Sequence, residues 1–349
     1  MNDKKDLRLS AALIKWYELK KRDLPWRRTT DPYLIWLSEI ILQQTRVDQG
    51  LSYYNRFVEK YPQIDKLAAA EENDVLKLWQ GLGYYSRARN LHTAAKMVMN
   101  DYKGVFPSDY KDVLKLKGVG EYTAAAIVSF SYNKPYAVVD GNVFRVLSRV
   151  FTIDIPIDST QGKKVFAELA YELLDEKNPG LHNQAIMEFG ALQCVPVSPD
   201  CNICPVQSMC LAYAQNKIRN YPVKQGKQKV RERYFYYFDI RSKGKMLLKK
   251  RTAKDVWQNL YELPLIEATQ KLAIDDLQKL EAFKNLLSDN AYIEQSITIK
   301  HVLSHQIIHT TFYKVEVDSL PEKADYIVID EADVDNYPVS RLVNKYLSE

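Results

Sequence analysis

Hydrophobic positions recur every three to four residues through roughly the first 215 residues of the chain. The spacing is clear around Leu13, Ile41 and Val146, and it places apolar side chains on one face of a helix. Asp31 stands directly before Pro32, the order expected at a helix N-terminus. The pattern therefore predicts an N-terminal domain that is almost entirely helical.

The pattern changes in the last third of the chain, where runs rich in β-branched and aromatic residues predict strands. Four such runs are seen: 234–240, 245–251, 310–317 and 326–330. Helical spacing between them predicts one helix over 275–287. The segment 217–233 carries seven basic residues and one acid and is expected to be a basic linker. We therefore expect a helical domain at 1–216 and a second, α+β domain at 234–349.

Composition narrows the class of protein without naming a partner. With 349 residues and 46% hydrophobic content the chain can bury two cores, and its net charge of +5 permits a polyanionic partner. The N-terminal residues lack the apolar core of a signal peptide, and no stretch approaches 18 apolar residues. A cytosolic protein without membrane association is expected.

All four cysteines lie within one short segment. Cys194, Cys201, Cys204 and Cys210 are separated by six, two and five residues. Four thiolates this close together suit a tetrahedral zinc ion or a cubane iron–sulfur cluster, and zinc is the commoner choice on spacing alone. Four buried structural cysteines are the alternative, which so dense a pattern disfavours.

The segment 116–127 places Gly118 and Gly120 on either side of a valine, between two helical patterns. Backbone amides in such a hairpin, with the following helix N-terminus, can hold a DNA phosphate whatever the base sequence. A bare pair of glycines is more often an ordinary corner between helices. The segment therefore predicts DNA anchoring only in combination with its neighbours.

Two acidic residues stand where they can serve chemistry. Glu39 lies in an otherwise apolar helical stretch and shares a helix face with Gln43. Burial would raise the pKa of such a glutamate and keep it protonated near neutral pH, as a general acid requires. The alternative for Glu39 is an exposed helix position. Asp140 precedes a helical pattern, where it is either a simple N-cap or the second acid of a site.

The segment 81–91 combines glycines, paired tyrosines and basic residues. Leu82, Tyr84 and Arg87 are side chains of the kind that wedge into a duplex and contact phosphates. Alone, this mixture is weak evidence for DNA binding.

Taken in this order, the segments resemble those of the helix-hairpin-helix DNA glycosylases over essentially the whole chain. LSEIILQQT, which begins at Leu37, is similar to the adenine-removing branch of the family, the MutY type. The cysteine pattern matches the family's loop for a 4Fe-4S cluster, and this match replaces zinc as the expected metal group. Residues 182–194, HNQAIMEFGALQC, match the helix that leads into the loop.

One position separates two branches of this family. Endonuclease III-like relatives, which also cut the DNA backbone, carry a Schiff-base lysine where this chain has Tyr122. Without that amine, β-elimination loses its electron sink. The resemblance therefore implies a monofunctional glycosylase.

The second domain resembles the Nudix-fold C-terminal domain of the same branch through residues 255–267, DVWQNLYELPLIE. No acidic Nudix box follows, so the domain is expected to recognise DNA rather than hydrolyse nucleotides. Leu303, Ser304 and His305 stand at the places of the family's Phe-Ser-His loop, which contacts 8-oxoguanine. Leu303 departs from that pattern and loses aromatic stacking.

The resemblance also implies a reaction. A monomer flips adenine paired with 8-oxoguanine or guanine out of duplex DNA, in base excision repair. Glu39 protonates the adenine at N7, and anionic Asp140 stabilises the oxocarbenium ion. Tyr122 and Asn142 are expected to orient Asp140 and water. Three residues are expected to fill or probe the vacated stack: Gln44, Leu82 and Tyr84.

Three alternatives stay open: a bifunctional glycosylase and lyase for oxidised bases, a non-catalytic iron–sulfur protein that binds DNA, and a Nudix hydrolase. Tyr122 disfavours the first and the two acids disfavour the second. The missing acidic box disfavours the third.

Overall fold

The protein is described here by a computed structural model, which covers residues 8–226, 230–287 and 292–348. The chain forms two compact units. The first comprises Met1–Ala68 and Thr93–Gly226, and the second comprises Ala69–His92 and Lys227–Glu349. Within the described residues, no helix has both the length and the apolar content needed to cross a bilayer. The segment 69–92 thus packs with the C-terminal part, which a division at residue 216 does not anticipate.

The part of the chain up to residue 226 is built from helices joined by short connections, as predicted. Their bounds are α1 (Arg8–Lys20), α2 (Pro32–Leu42), α3 (Val47–Lys60), α4 (Ile64–Ala69), α5 (Glu72–Trp79), α6 (Ser86–Asp101), α7 (Tyr110–Lys115), α8 (Glu121–Tyr132), α9 (Gly141–Phe151), α10 (Thr160–Glu172), α11 (Pro179–Leu192) and α12 (Leu211–Ala214). Asp31 is the N-cap of α2, because its Oδ1 accepts the backbone N–H of Tyr33 at 2.8 Å.

The core of the first unit forms where α1 and α9 pack against α11. Leu13, Val146, Phe166 and Phe189 are completely buried there. Burying one leucine side chain of this kind contributes about 2 kcal/mol to stability. Because α11 packs against α1, α8 and α9, its remaining polar positions are available to line a cavity.

The hairpin between α7 and α8 forms as predicted. Gly118 has a φ of 78°, a left-handed conformation that favours glycine, whereas Gly120 is the N-cap of α8 with a φ of −100°. The helix α8 packs on α2 and so brings the hairpin's second helix beside Glu39. The two glycines therefore have different tasks: Gly118 makes the turn and Gly120 begins the helix.

The second unit is organised around a mixed β-sheet. Within the described ranges its strands are β1 (Arg231–Ser242), β2 (Lys245–Lys250), β3 (Tyr261–Glu262), β4 (Leu265–Ala268), β5 (Tyr292–Val302), β6 (Gln306–Glu316) and β7 (Ile327–Asp330). The main order is β3-β2-β1-β6-β5, with β1 parallel to β6 and β5 antiparallel to β6. The residues 303–305 form the turn that joins β5 to β6.

The single helix predicted over 275–287 is wrong. The chain there forms two short helices, α13 (Ile274–Gln278) and α14 (Glu281–Leu286), and a further helix, α15 (Arg341–Leu347), follows later. Leu277 and Phe283 are both buried in the same core, and six residues is not a helical repeat. The extended backbone at Leu280 lets both side chains reach that core.

The segment 69–92 is joined to the C-terminal part by polar contacts as well as packing. The Gln80 amide donates to Oδ1 of Asn344 at 2.6 Å and accepts the backbone N–H of Val339 at 3.2 Å. Asn259 donates to Oε1 of Glu72 at 2.7 Å. The second unit is therefore assembled from two separate stretches of the chain.

Candidate active site and nucleic-acid contacts

A cavity of about 510 Å³ lies in the first unit, with walls from α2, α8, α9 and α11. Glu39, Tyr122, Asp140 and Asn142 all line it. The structure thus brings the four residues predicted for catalysis to one concave site, and its volume falls in the range typical of ligand pockets.

Glu39 lies on the buried face of α2, and its carboxyl group is almost fully enclosed. The hydroxyl of Tyr122 donates to its Oε2 at 2.8 Å. Burial raises the pKa of Glu39 to about 7, and the negative charge of Asp140 acts in the same direction. The hydrogen bond from Tyr122 and the positive charge of Arg27 act to lower the pKa. The group is therefore available as an acid near neutral pH.

Asp140 is the N-cap of α9 and also lines the cavity, where its role as the second acid of a site stays a prediction. Its Oδ1 accepts the backbone N–H groups of Asn142 and Val143 at 2.9 and 2.8 Å, and Oδ2 accepts Nδ2 of Asn142 at 2.8 Å. Burial raises the pKa of Asp140, while these three donors act to lower it. Three donors suit an ionised carboxylate.

Tyr122 and Asn142, both predicted to orient Asp140, bond different acids in the structure. Asn142 bonds Asp140 as expected, whereas the hydroxyl of Tyr122 bonds Glu39 rather than Asp140. The reason is position: Tyr122 is the second residue of α8, which packs on α2, the helix that carries Glu39. Asn142 belongs to α9 itself.

A chain of hydrogen bonds leads from Asp140 to the cysteine segment. Arg145 donates through Nη2 to Oδ1 of Asn142 and through Nε to the carbonyl of Cys194, each at 2.8 Å. The bond from Arg145 fixes which end of the Asn142 amide faces Asp140. Gly190 approaches so closely that an added Cβ would lie 2.6 Å from the Cβ of Asn142.

The four cysteines line one common cavity, which is also in the first unit. Arg149 is almost fully buried beside them and donates to Sγ of Cys194 at 3.4 Å and to the carbonyl of Val195 at 2.7 Å. A buried guanidinium that donates to a cysteine sulfur suits thiolate ligands, because it offsets their negative charge. The four cysteines therefore share one site, although among the described residues no three His, Cys, Asp or Glu side chains are grouped so as to hold a metal ion, and the iron–sulfur cluster stays a prediction. The ligands expected for it are Cys194, Cys201, Cys204 and Cys210.

Sequence reasoning missed a second polar wall of the cavity. Glu188 of α11 is buried and accepts bidentate hydrogen bonds from Arg22 and from Arg27. Although burial acts to raise it, these bonds lower the pKa of Glu188 to about 2. The signal in the sequence was an acid within an apolar helical run, the same signal that identified Glu39.

The predicted DNA contacts of the first unit are on its surface. Gln44 follows the C-cap of α2, is exposed, and has a φ of 56°. A non-glycine residue in this conformation stores strain and is often functional. Gly118 and Gly120 occupy the turn before α8, where they leave the helix N-terminus open to an anion.

In the second unit, two predicted DNA contacts lie side by side. Tyr84 is 45% exposed with a φ of 49°, and its hydroxyl is hydrogen-bonded to Oγ of Ser304. Ser304 lies with Leu303 and His305 in the turn between β5 and β6, and both Ser304 and His305 are exposed. The contact joins the segment 69–92 to the predicted recognition loop.

Leu82 and Arg87, the other predicted DNA contacts of this segment, are less exposed than Tyr84. Both are buried, and the guanidinium of Arg87 packs over the rings of Trp79 and Tyr84 and donates to the carbonyl of Gly83 at 3.2 Å. Burial also lowers the pKa of Arg87 to about 10. Arg87 packs against the ring of Tyr84, and Tyr84 is the exposed member of the group.

The chain is similar to known proteins over most of its length. A family model described as HhH-GPD superfamily base excision DNA repair protein matches residues 37–170, and a NUDIX domain model matches residues 236–349. The adenine DNA glycosylase of Buchnera aphidicola subsp. Acyrthosiphon pisum is 33% identical over 301 residues, which cover 86% of this chain and 84% of that protein. The chain belongs to the adenine DNA glycosylase family.

Two further relatives show how far the similarity in sequence and fold extends. The adenine DNA glycosylase of Schizosaccharomyces pombe is 30% identical over an alignment covering 96% of this chain and 87% of that protein. A solved structure of a thermostable thymine-DNA glycosylase superimposes with a TM-score of 0.56 at 31% identity, covering 60% of this chain and 97% of that one. As a member of the family, the protein is a DNA glycosylase, a hydrolase of N-glycosyl bonds.

Proposed function

We propose that the protein removes adenine paired with 8-oxoguanine or guanine from duplex DNA, and that it hydrolyses the glycosidic bond without cutting the backbone. The observation that carries this proposal is the pair of carboxyl groups in one cavity. Glu39 has one hydroxyl donor and a pKa of about 7, whereas Asp140 has three N–H donors. Such a pair supports one acid and one anion at the same pH.

Glu39 serves as the general acid in this proposal. Adenine is a poor leaving group, and protonation at N7 lets it depart as a neutral base. The protonated form of Glu39 is populated at neutral pH because the group is buried. The neutral hydroxyl of Tyr122, whose own pKa burial raises well above its usual value, holds the carboxyl in place.

Asp140 serves as the anion that faces the sugar. Positive charge develops on the deoxyribose as the bond to adenine breaks, and a fixed carboxylate stabilises it electrostatically or by covalent capture. The backbone donors at the start of α9 hold Asp140 in place before the reaction, so little reorganisation is needed. Asn142 orients the carboxylate and the attacking water.

The cysteine segment is proposed to bind a 4Fe-4S cluster through all four thiolates, as the family resemblance implies. Such a cluster would stabilise the loop after α11 and place its basic neighbours, with no part in breaking the glycosidic bond. In the second unit, Ser304 with its neighbours is proposed to recognise 8-oxoguanine while Tyr84 enters the duplex. A monomer in the cytosol is the proposed working form.

The test is a single-turnover reaction with a labelled duplex that carries one adenine opposite 8-oxoguanine. Half of each sample is treated with hot alkali. Breaks that appear only after alkali support a monofunctional glycosylase, and breaks without alkali mean lyase chemistry despite Tyr122. If no breaks appear at all and the DNA is still bound, the protein only binds DNA. If Glu39→Gln and Asp140→Asn both excise adenine at the unchanged rate, other residues catalyse the reaction.

A further inference from the structure

Four arginines line the cavity of the first unit: Arg22, Arg27, Arg46 and Arg145. Three of them are already bound within the protein. Arg22 and Arg27 both donate to the carboxylate of Glu188. Arg145 donates to backbone carbonyls and to a side-chain amide. The hydrogen-bonding capacity of these three guanidinium groups is therefore largely used before any ligand enters the cavity.

The fourth arginine, Arg46, differs from the other three. It is exposed, and within the part of the chain that the structure describes its side chain forms no hydrogen bond and no ion pair. Asp48, the acid closest to it in the sequence, also lines the cavity, but among the described residues the two side chains form no ion pair. Of the four arginines, Arg46 is therefore the one whose guanidinium is available to a ligand.

The backbone of Arg46 is held in place by the turn between α2 and α3. The backbone N–H of Thr45 donates to the carbonyl of Leu42 at 3.1 Å, and that of Gly50 donates to the carbonyl of Arg46 at 2.9 Å. Gly50 approaches α2 so closely that an added Cβ would lie 2.7 Å from Cδ2 of Leu42. Because Glu39 also lies on α2, the turn fixes where the Arg46 side chain begins relative to Glu39.

A nucleotide that leaves the base stack rotates about the backbone on either side of it. Its base enters the cavity, whereas the two phosphates that flank it stay at the mouth with the rest of the strand. Each of these phosphates carries a negative charge and accepts hydrogen bonds. A guanidinium group matches them, because it can donate two parallel N–H groups to two oxygens of one phosphate. The ligand that suits an exposed, unpaired arginine at this cavity is therefore a backbone phosphate rather than a neutral base.

We propose that the guanidinium of Arg46 binds one of the two phosphates that flank the flipped nucleotide, and so holds the strand at the mouth of the cavity while the base is inside. This inference rests on the proposed removal of a flipped adenine. Arg46 takes no part in breaking the glycosidic bond. Its contribution is to the affinity for DNA from which one nucleotide has been extruded, and that contribution depends on the negative charge of a single phosphate.

The experiment measures the dissociation constant for a duplex that carries 2′-fluoro-2′-deoxyadenosine opposite 8-oxoguanine. The electron-withdrawing fluorine of this analogue prevents cleavage. The duplex is made with an unmodified backbone and with one uncharged methylphosphonate, either 5′ or 3′ to the analogue. We expect Arg46→Gln to bind the unmodified duplex about tenfold more weakly, since one charge-assisted contact is lost. With one of the two methylphosphonates the loss should fall below about twofold, because the partner of Arg46 is already neutral there.

The matched control is Arg56→Gln. Arg56 is also an exposed arginine of α3's end of the chain, within Val47–Lys60, but it packs over the ring of Tyr53 and does not line the cavity. Any effect of Arg56→Gln on affinity should be the same for all three duplexes. Arg46→Lys keeps the positive charge and should recover part of the affinity that Arg46→Gln loses.

The outcomes separate this inference from the proposed function. If Arg46→Gln weakens the binding of all three duplexes by the same factor, Arg46 contacts neither flanking phosphate and the inference is overturned. An unchanged affinity of Arg46→Gln for the unmodified duplex overturns it as well. The proposed function is tested separately with a cleavable adenine opposite 8-oxoguanine, and it fails if that adenine is not removed, whatever the three affinities are.

Discussion

At the scale of single residues, the active site depends on where protons reside. Glu39 is an acid that burial keeps protonated to an unusually high pH, and Tyr122 is the neighbour that restrains this effect. Both the reaction and the stability of the fold therefore respond to pH through the same carboxyl group. The pH dependence of stability and that of the reaction are each tested with a control variant of their own.

Replacing Glu39 should stabilise the protein while abolishing base removal. The pKa of Glu39 is about 7 in the folded chain and ordinary when unfolded, so its contribution to stability is present at low pH and lost as pH rises to about 7. At pH 8 the buried charge costs on the order of 3 kcal/mol. Thermal unfolding of Glu39→Gln should show a higher Tm at pH 8 and little change at pH 4.

The control for this prediction is Glu121→Gln, which removes an exposed acid one residue before Tyr122. Its Tm should differ little from that of the unsubstituted protein at either pH. A stabilisation of Glu39→Gln that is the same at pH 4 and pH 8 would show that the gain does not come from the buried charge.

Replacing Tyr122 should move the pH dependence of the reaction. The hydrogen bond from Tyr122 lowers the pKa of Glu39, so its loss in Tyr122→Phe should raise that pKa and shift the alkaline limb of the excision rate to higher pH. A pH–rate profile under single-turnover conditions measures the shift. Tyr132→Phe is the comparison, because Tyr132 lies on the same helix and bonds the carbonyl of Phe106 away from the cavity. A shift to lower pH in Tyr122→Phe contradicts the assignment.

At the scale of helices and strands, the hairpin between α7 and α8 is set by backbone conformation. Only one of its glycines needs the left-handed region, so the two should tolerate substitution differently. Their proximity makes each the natural control for the other.

Gly118→Ala should lower both stability and DNA affinity. A Cβ at a φ of 78° costs about 1 kcal/mol, and relief of that strain would distort the amides proposed to hold a phosphate. Gly120→Ala has an ordinary φ and no atom within 4 Å of the added Cβ, so its stability should fall less than that of Gly118→Ala. Thermal unfolding and titration with an undamaged duplex test this. Equal losses in the two variants would mean that backbone strain is not the cause.

Local signals in the sequence predicted the helices, the hairpin and the two acids, because capping, burial of an acid and glycine turns act within a few residues. The pairings of Tyr17 with Gln184 and of Arg27 with Glu188 could not be predicted, since 167 and 161 residues separate the partners. The burial of Leu82, which is predicted to fill or probe the vacated stack, could not be foreseen for a similar reason. Its burial depends on packing of the whole segment.

At the scale of the whole molecule, the second unit draws on two stretches of chain. Most of it follows residue 227, but residues 69–92 belong to it as well. The wedge-like Tyr84 and the loop residue Ser304 therefore share one packed body.

A chain truncated after residue 226, the end of the first unit, should lose protection in residues 69–92. The partners of Gln80 and Glu72 would be absent, so the amides of α5 should exchange with solvent deuterium at least tenfold faster, as local stability falls by more than 1.4 kcal/mol. Exchange in α9, whose packing partners α10 and α11 remain, should change little. Unchanged exchange in α5 would mean that this segment is held without the C-terminal residues.

The divided second unit also limits how its recognition surface can be inherited. A recombination event that carried only the C-terminal stretch into another protein would deliver Ser304 without Tyr84, and Asn344 without Gln80. Neither stretch carries the complete recognition surface on its own. Substitutions in the two stretches are thus expected to be accepted in pairs, so that the pieces are inherited together.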